Sequence, residues 1–203
     1  MEKHVLISQR IPVSVMEQAI RAILDGSYSY EWALEMARAE YQGENRQKKA
    51  ATFIGRLTER NPLMPFIKEH KEETMQALAH SGDRALVMSA IICASFPFGY
   101  DVLWMFGKYF HVQEIVPYRL LSEKLAESYG TNRQLYVGLS AILPMFKEAG
   151  IIDRPKDGIY TKPQLNIQSD ISTEFYKLAF FINNPLKNPN DDWMDSPFFE
   201  FLY

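Results

Sequence analysis

The chain has 203 residues, 47% hydrophobic and 13% aromatic, enough apolar mass for a core in one or two compact domains, which excludes disorder over most of its length. A formal charge of −3 excludes a global attraction to nucleic acid or anionic membrane, so a polyanion must meet a local basic patch. The one cysteine, Cys93, sits in an apolar run, excludes an intramolecular disulfide and reads as a buried thiol in a reducing, cytoplasmic compartment. Four histidines, His4, His70, His80 and His111, lack metal-ligand spacing, so no metal is expected. There is no apolar stretch of about 20 residues for a membrane span, and the N-terminal apolar run is too short for a signal peptide.

In chain order, Ser14 and Glu17 predict a capping box in front of Val15, Met16, Ala19, Ile20, Ile23 and Leu24, with Gly26 as the stop. Ser29 caps a second predicted helix that runs to about Tyr41, and the short connection predicts that these two pack antiparallel. In the third segment, Asn45 to Arg60, the cations Arg46, Lys49, Arg56 and Arg60 fall within an arc of roughly 80° at 100° per residue, beside the apolar strip Ala50, Phe53, Ile54 and Leu57. Such a stripe suits a phosphate backbone, and it equally suits a solvated face paired with a neighbour's acids.

Asn61-Pro62 breaks that helix, Pro62 and Pro65 fit the first turn of the next, and His70 reads as a core histidine near its inward face. The run Arg84 to Phe96 is apolar on nearly all sides, which predicts a central helix with Asp83 as its N-cap. The aromatic segment Tyr100 to Phe110 reads as core.

From Pro117 to Ile167 helix, turn, helix and hairpin signals follow one another as in a winged helix-turn-helix. Leu121 to Tyr129 forms the first helix, Gly130 ends it, and Thr131 or Asn132 caps a second helix carrying Leu135, Leu139 and Ile142. Pro144 predicts a kink or an early end to that helix. Two β-prone runs around Asp157-Gly158 then predict a hairpin, the wing. The N-terminal residues of the second helix, Thr131, Asn132, Arg133, Gln134 and Tyr136, suit a major groove, while Arg154, Lys156 and Lys162 suit backbone phosphate.

Ser172 or Thr173 is expected to cap one more helix, after which Asn183 to Tyr203 mixes Asp191, Asp192, Asp195 and Glu200 with seven large apolar side chains, Trp193, Met194, Phe198, Phe199, Phe201, Leu202 and Tyr203. That tail either folds back on the body or docks on a partner. The expected organisation is mostly α-helical: an N-terminal helical bundle over 1–96, a winged-helix-like unit over 97–182 and an acidic aromatic tail over 183–203. Neither a phosphate loop, a nucleophile elbow, a Cys-x-x-Cys nor a His-Glu-x-x-His occurs, so no enzyme activity, cofactor or small-molecule substrate is expected.

The segment Ser95-Phe96-Pro97-Phe98 with Asp101 behind it, then Thr131, Leu143, Lys147 and Glu148-Ala149-Gly150-Ile151-Ile152, together resemble the BrxA family of BREX bacteriophage-exclusion systems, over about Pro12 to Ile182. The resemblance implies a non-enzymatic, helical protein that binds double-stranded DNA as an accessory component of a bacterial phage-defence system, alongside other BREX proteins. The same residues admit a rival reading, a scaffold or assembly subunit that uses the winged-helix surface and the tail without touching nucleic acid.

Overall fold

The computed structural model describes residues 3–188, 190 and 193–203. Tail residues Pro189, Asp191 and Asp192 lie outside the described residues. The elements in chain order are α1 (Val13–Leu24), α2 (Tyr30–Glu40), α3 (Glu44–Leu57), α4 (Met64–Glu69), α5 (Lys71–Ala79), α6 (Ser81–Ser95) and α7 (Pro97–Phe110). They continue with β1 (Ile115–Pro117), α8 (Tyr118–Tyr129), α9 (Arg133–Ala149), β2 (Asp153–Lys156), β3 (Ile159–Thr161), α10 (Asp170–Asn183) and a 3-10 helix (Pro197–Leu202). The protein is mostly helical with one small antiparallel sheet of strand order β1-β3-β2.

The all-apolar run becomes the centre of the molecule. α6 is buried from Ala85 to Ser95 and is wrapped by α3, α5, α7, α9 and α10, with α10 lying most closely along it. Burying side chains on every face of one helix contributes a large share of the apolar transfer free energy, about 25 cal/mol per Å² removed from water. Asp83 is not the N-cap of this helix. It lies inside the first turn with no exposed surface, and its carboxylate accepts hydrogen bonds from the Gln168 N–H at 3.2 Å, the Ser169 N–H at 3.1 Å and the Ser172 hydroxyl. These donors surround the start of α10, whose positive dipole end stabilises the buried charge. Ser172 is therefore engaged by Asp83 inside α10, and neither Ser172 nor Thr173 caps that helix, which begins at Asp170. Gly82 allows this close approach, since a Cβ there would lie 2.3 Å from the Asn166 carbonyl oxygen.

A second buried polar node ties α3, α4 and α6 together. The Asn61 amide donates to the carbonyls of Leu57 and Ile91 and to Ser95 Oγ, and its oxygen accepts from the Leu63 N–H. The helix expected to open at Pro62 and Pro65 is divided at His70, which ends α4 and precedes α5. His70 is half-buried rather than core, with its ring 4.4 Å from that of Phe66 and Nδ1 3.7 Å from Glu73.

Several local expectations change. α1 starts at Val13 behind Pro12 with no side-chain cap, and Glu17 instead pairs with Arg84, because a partner on α6 holds its carboxylate better than an exposed backbone N–H does. α2 is capped by Ser29 through the Trp32 N–H but lies against α3, not α1. α9 runs through Pro144 to Ala149, although an interior proline costs about 3 kcal/mol. The burial of Leu143, Met145 and Phe146 on both sides offsets that cost, and the Ser140 carbonyl, which Pro144 cannot serve, belongs to an exposed residue that water can reach. The sheet has a third strand, β1, pairing Val116 with Tyr160. At three residues β1 is too short to show a period in the sequence, and Pro117 is tolerated because β1 is an edge.

The described part of the tail folds back. Phe198, Phe199 and Phe201 are buried, the Phe198 ring stacks on Tyr176 at 4.2 Å, and the 3-10 helix lies against α7 where Gly107 leaves room for the Pro197 carbonyl.

Replacing Asp83 with Ala should lower the unfolding free energy by about 3 kcal/mol, since the Gln168 and Ser169 N–H groups and the Ser172 hydroxyl lose a charged acceptor in the dry interior. Urea unfolding followed by circular dichroism measures this, with exposed Asp170→Ala as the control. A loss below about 1 kcal/mol would show that Asp83 does not hold α10.

Candidate nucleic-acid interface

The N-terminal segment, residues 3–12, runs beside α9. Lys3 Nζ reaches Asp101 at 2.6 Å, and Asp101 also accepts from the Tyr129 hydroxyl at 2.5 Å, which ties the segment to α7 and α8. Burial, then the hydrogen bond to Asp101 and its charge, push the Tyr129 phenol well above its usual range and keep it a donor. Further along, Val5 sits against Gly138, where a Cβ would come 2.3 Å from the valine methyl. The Arg10 guanidinium donates to Glu148 at 2.8 Å, and the Arg10 carbonyl accepts from Tyr41.

Three depressions follow one another between this segment and α9. The first, about 370 Å³, is lined by Leu6, Ser8, Lys49, Arg133, Gln134 and Val137 among others. The second, about 330 Å³, shares Ser8 and adds Arg10, Glu40, Tyr41, Arg46 and Ser140. The third, about 380 Å³, shares Arg10 and adds Pro144, Lys147, Glu148, Arg154 and Tyr160. On α9 the lining residues run from Arg133 to Glu148 over about half of the helix circumference, and the three depressions adjoin through Ser8 and Arg10 to form one groove along the helix.

The groove gathers Arg133, Lys49, Arg46, Arg10, Lys147 and Arg154 against the lining acids Glu40 and Glu148. Four separate stretches supply these cations: the N-terminal segment, α3, α9 and β2. Arg46 also lies 5.4 Å from the centre of the Tyr41 ring, whose phenol is raised first by burial. Burial likewise raises the Tyr160 phenol, while the charge of Arg154 works against that shift. Concentrated positive charge with hydroxyl, amide and aromatic groups suits a polyanion that carries bases.

Of the sequence-predicted residues, Arg46, Lys49, Arg133, Gln134 and Arg154 meet in this groove. Thr131, Asn132 and Tyr136 flank its α9 end and are exposed, although Asn132 is engaged as the N-cap through the Leu135 N–H. Lys156 is exposed on the hairpin.

The basic stripe does not stay on one face. α3 ends at Leu57, so Arg60 lies past the helix and its guanidinium turns back to the Thr52 carbonyl at 2.9 Å. Arg56 is half-buried with its guanidinium 4.5 Å from the centre of the Phe96 ring, and burial followed by the charge of Arg60 lowers its pKa. Lys162 is not free for phosphate. Its ammonium donates to the Glu200 carbonyl and carboxylate and to the Tyr203 carbonyl, all within 3.0 Å. The aromatic tail made such an anchor foreseeable, but its long-range register could not be read from sequence. Arg10 and Lys147 were missed because neither belongs to a local charge pattern.

Among the described residues, no group of three or more His, Cys, Asp and Glu is placed to hold a metal ion, and no helix is long and apolar enough to cross a membrane. No family model, curated protein or solved structure matches this chain.

Docking of the tail should depend on acid. Burial alone would raise the Glu200 carboxyl, but hydrogen bonds and charge from Lys162 and His111 outweigh it and hold the group below its ordinary value of 4.5. A depressed folded value stabilises docking above the unfolded pKa and ceases to do so as pH falls through the folded one. Amide exchange in residues 193–203, corrected for intrinsic rate, should therefore accelerate below about pH 4.5 relative to α6, and Glu200→Gln should remove this acid step. Equal acid acceleration in the variant would show that another group controls docking.

Proposed function

We propose that the chain is a non-enzymatic protein that binds double-stranded DNA as an accessory component of a bacterial phage-defence (BREX) system, the role implied by its resemblance to the BrxA family. One observation carries the DNA reading: Lys49 from α3 and Arg133 with Gln134 from the start of α9 line the same depression. Two basic elements far apart in sequence thus point at one ligand. In this reading β1, α8, α9, β2 and β3 work as a winged helix-turn-helix. Arg133 and Gln134 reach base edges while Lys49, Arg46 and the exposed hairpin Lys156 neutralise phosphates. The arrangement favours sequence-tolerant binding, because most of the cations are flexible side chains suited to phosphate. Burial of Phe198, Phe199 and Phe201 takes from a scaffold reading the apolar tail surface it would use.

Anisotropy titration of a fluorescent duplex tests the proposal. With about four phosphate contacts, affinity should fall about a hundredfold between 50 and 200 mM salt. Lys49→Glu and Arg133→Glu should each weaken binding about tenfold or more at the lower salt and flatten the slope. Arg60→Ala should leave binding unchanged, because that guanidinium is turned back on α3. Absence of binding by the wild-type chain at 50 mM salt would overturn the reading.

A further inference from the structure

The third depression contains three cations from three elements: Arg10 of the N-terminal segment, Lys147 in the last turn of α9 and Arg154 on β2. It also contains one carboxylate that already occupies a cation. Glu148 Oε2 holds Arg10 Nη2 at 2.8 Å, with the carboxylate side chain only 26% exposed against 49% for the arginine. Asp157, which holds Arg154 at 2.9 Å, is fully exposed and competes weakly with an incoming anion. A helix C-terminus usually disfavours an anion, but here the Phe146 and Lys147 carbonyls are capped by the N–H groups of Gly150 and Ile151. The geometry is that of an anion site whose strongest fork-shaped donor is held by an internal carboxylate.

We infer that Arg10, Lys147 and Arg154 form a second phosphate-binding site for the DNA backbone, and that Glu148 is a built-in competitor which a backbone phosphate displaces from Arg10. This rests on the DNA reading above and extends it to residues outside the helix-turn-helix. Arg133 and Lys147 are 14 positions apart on α9, so the two ends of the groove lie about 21 Å apart at 1.5 Å per residue. That spans about six base pairs at 3.4 Å per step along a strand. A duplex running along α9 meets phosphate donors at both ends, and Glu148 lowers its affinity at the far end. Glu148 thereby makes the site selective for a continuous backbone, since a single mobile anion must displace the carboxylate without contacts elsewhere to hold it in place.

The test uses the full chain and a fluorescent duplex of about 12 base pairs at 50 and about 200 mM salt, where each phosphate contact changes affinity about threefold. Glu148→Gln should bind at least about threefold more tightly than wild type at 50 mM, with a salt-induced loss about threefold larger. Glu72→Gln, the same charge change on exposed α5, controls for net charge, and the double variant Arg10→Ala/Glu148→Gln should lose the gain. A gain equal to that of Glu72→Gln, or one that survives removal of Arg10, overturns the inference while leaving the DNA reading intact. Failure of wild type and Glu148→Gln alike to bind overturns both. Inorganic phosphate bound by Glu148→Gln in calorimetry, with no gain on the duplex, overturns the backbone assignment in favour of a free anion.

Discussion

A buried carboxylate without a cationic side-chain partner is costly to place in a protein interior, and Asp83 is tolerated because the Gln168 and Ser169 N–H groups leading into α10 and the Ser172 hydroxyl inside it meet the charge. The dependence is mutual. α10 has no side-chain cap of its own, and Asp83 of α6 instead anchors the Gln168-Ser169 backbone that leads into it and the Ser172 hydroxyl in its first turn. This contact fixes the angle and register of α10 on the central helix. α10 in turn presents Tyr176 and Phe180 to the returning tail, whose Phe198 and Phe199 complete the core. A polar contact at one end of α6 thus decides where the last apolar residues of the chain go.

The longest partner of α6 is α9, and the division of its surface produces the groove. Leu135, Leu139, Ile142 and Phe146 face inward, and Gly138 admits Val5 of the N-terminal segment. What remains is the solvent side of the helix, from Arg133 and Gln134 at its start to Lys147 in its last turn. The segment is fastened at Lys3 to Asp101 and at Arg10 to Glu148, contacts that are modest singly because they are partly exposed. Their positions matter more than their strengths, since they hold one wall of the groove at the level of the helix. The groove thus owes its shape to an irregular segment and its charge to side chains from several elements.

That division explains what was legible in the sequence. The helical class, the central position of 84–96, the succession of α8 and α9 with Asn132 as cap of the second, and the Asp157-Gly158 turn all rest on local signals: period, capping and a glycine at φ 70°. Local signals misled where a distant partner outweighed them. Glu17 left its capping role for Arg84, Ser172 for Asp83, and Lys162 its exposed role for Glu200. Wheel geometry grouped Arg46, Lys49, Arg56 and Arg60, but it assumes one unbroken helix, and the chain leaves the helix after Leu57. The groove itself could not be read from sequence, because Arg10 and Arg154 are brought together only by packing on α9.

The overall charge of −3 gives this local gathering its consequence. With six cations lining the groove and only two acids among them, the remaining surface is more acidic than the chain average. At physiological ionic strength the screening length is about 8 Å, shorter than the groove itself, so a polyanion responds to the patch it faces and not to the total. Under the proposed DNA reading, the phosphates of a duplex along α9 meet these donors in series. A uniformly basic protein of this size would bind DNA in many orientations. Under the same reading, an acidic chain with a local basic groove favours encounters at that groove, so modest individual contacts act together in a preferred orientation.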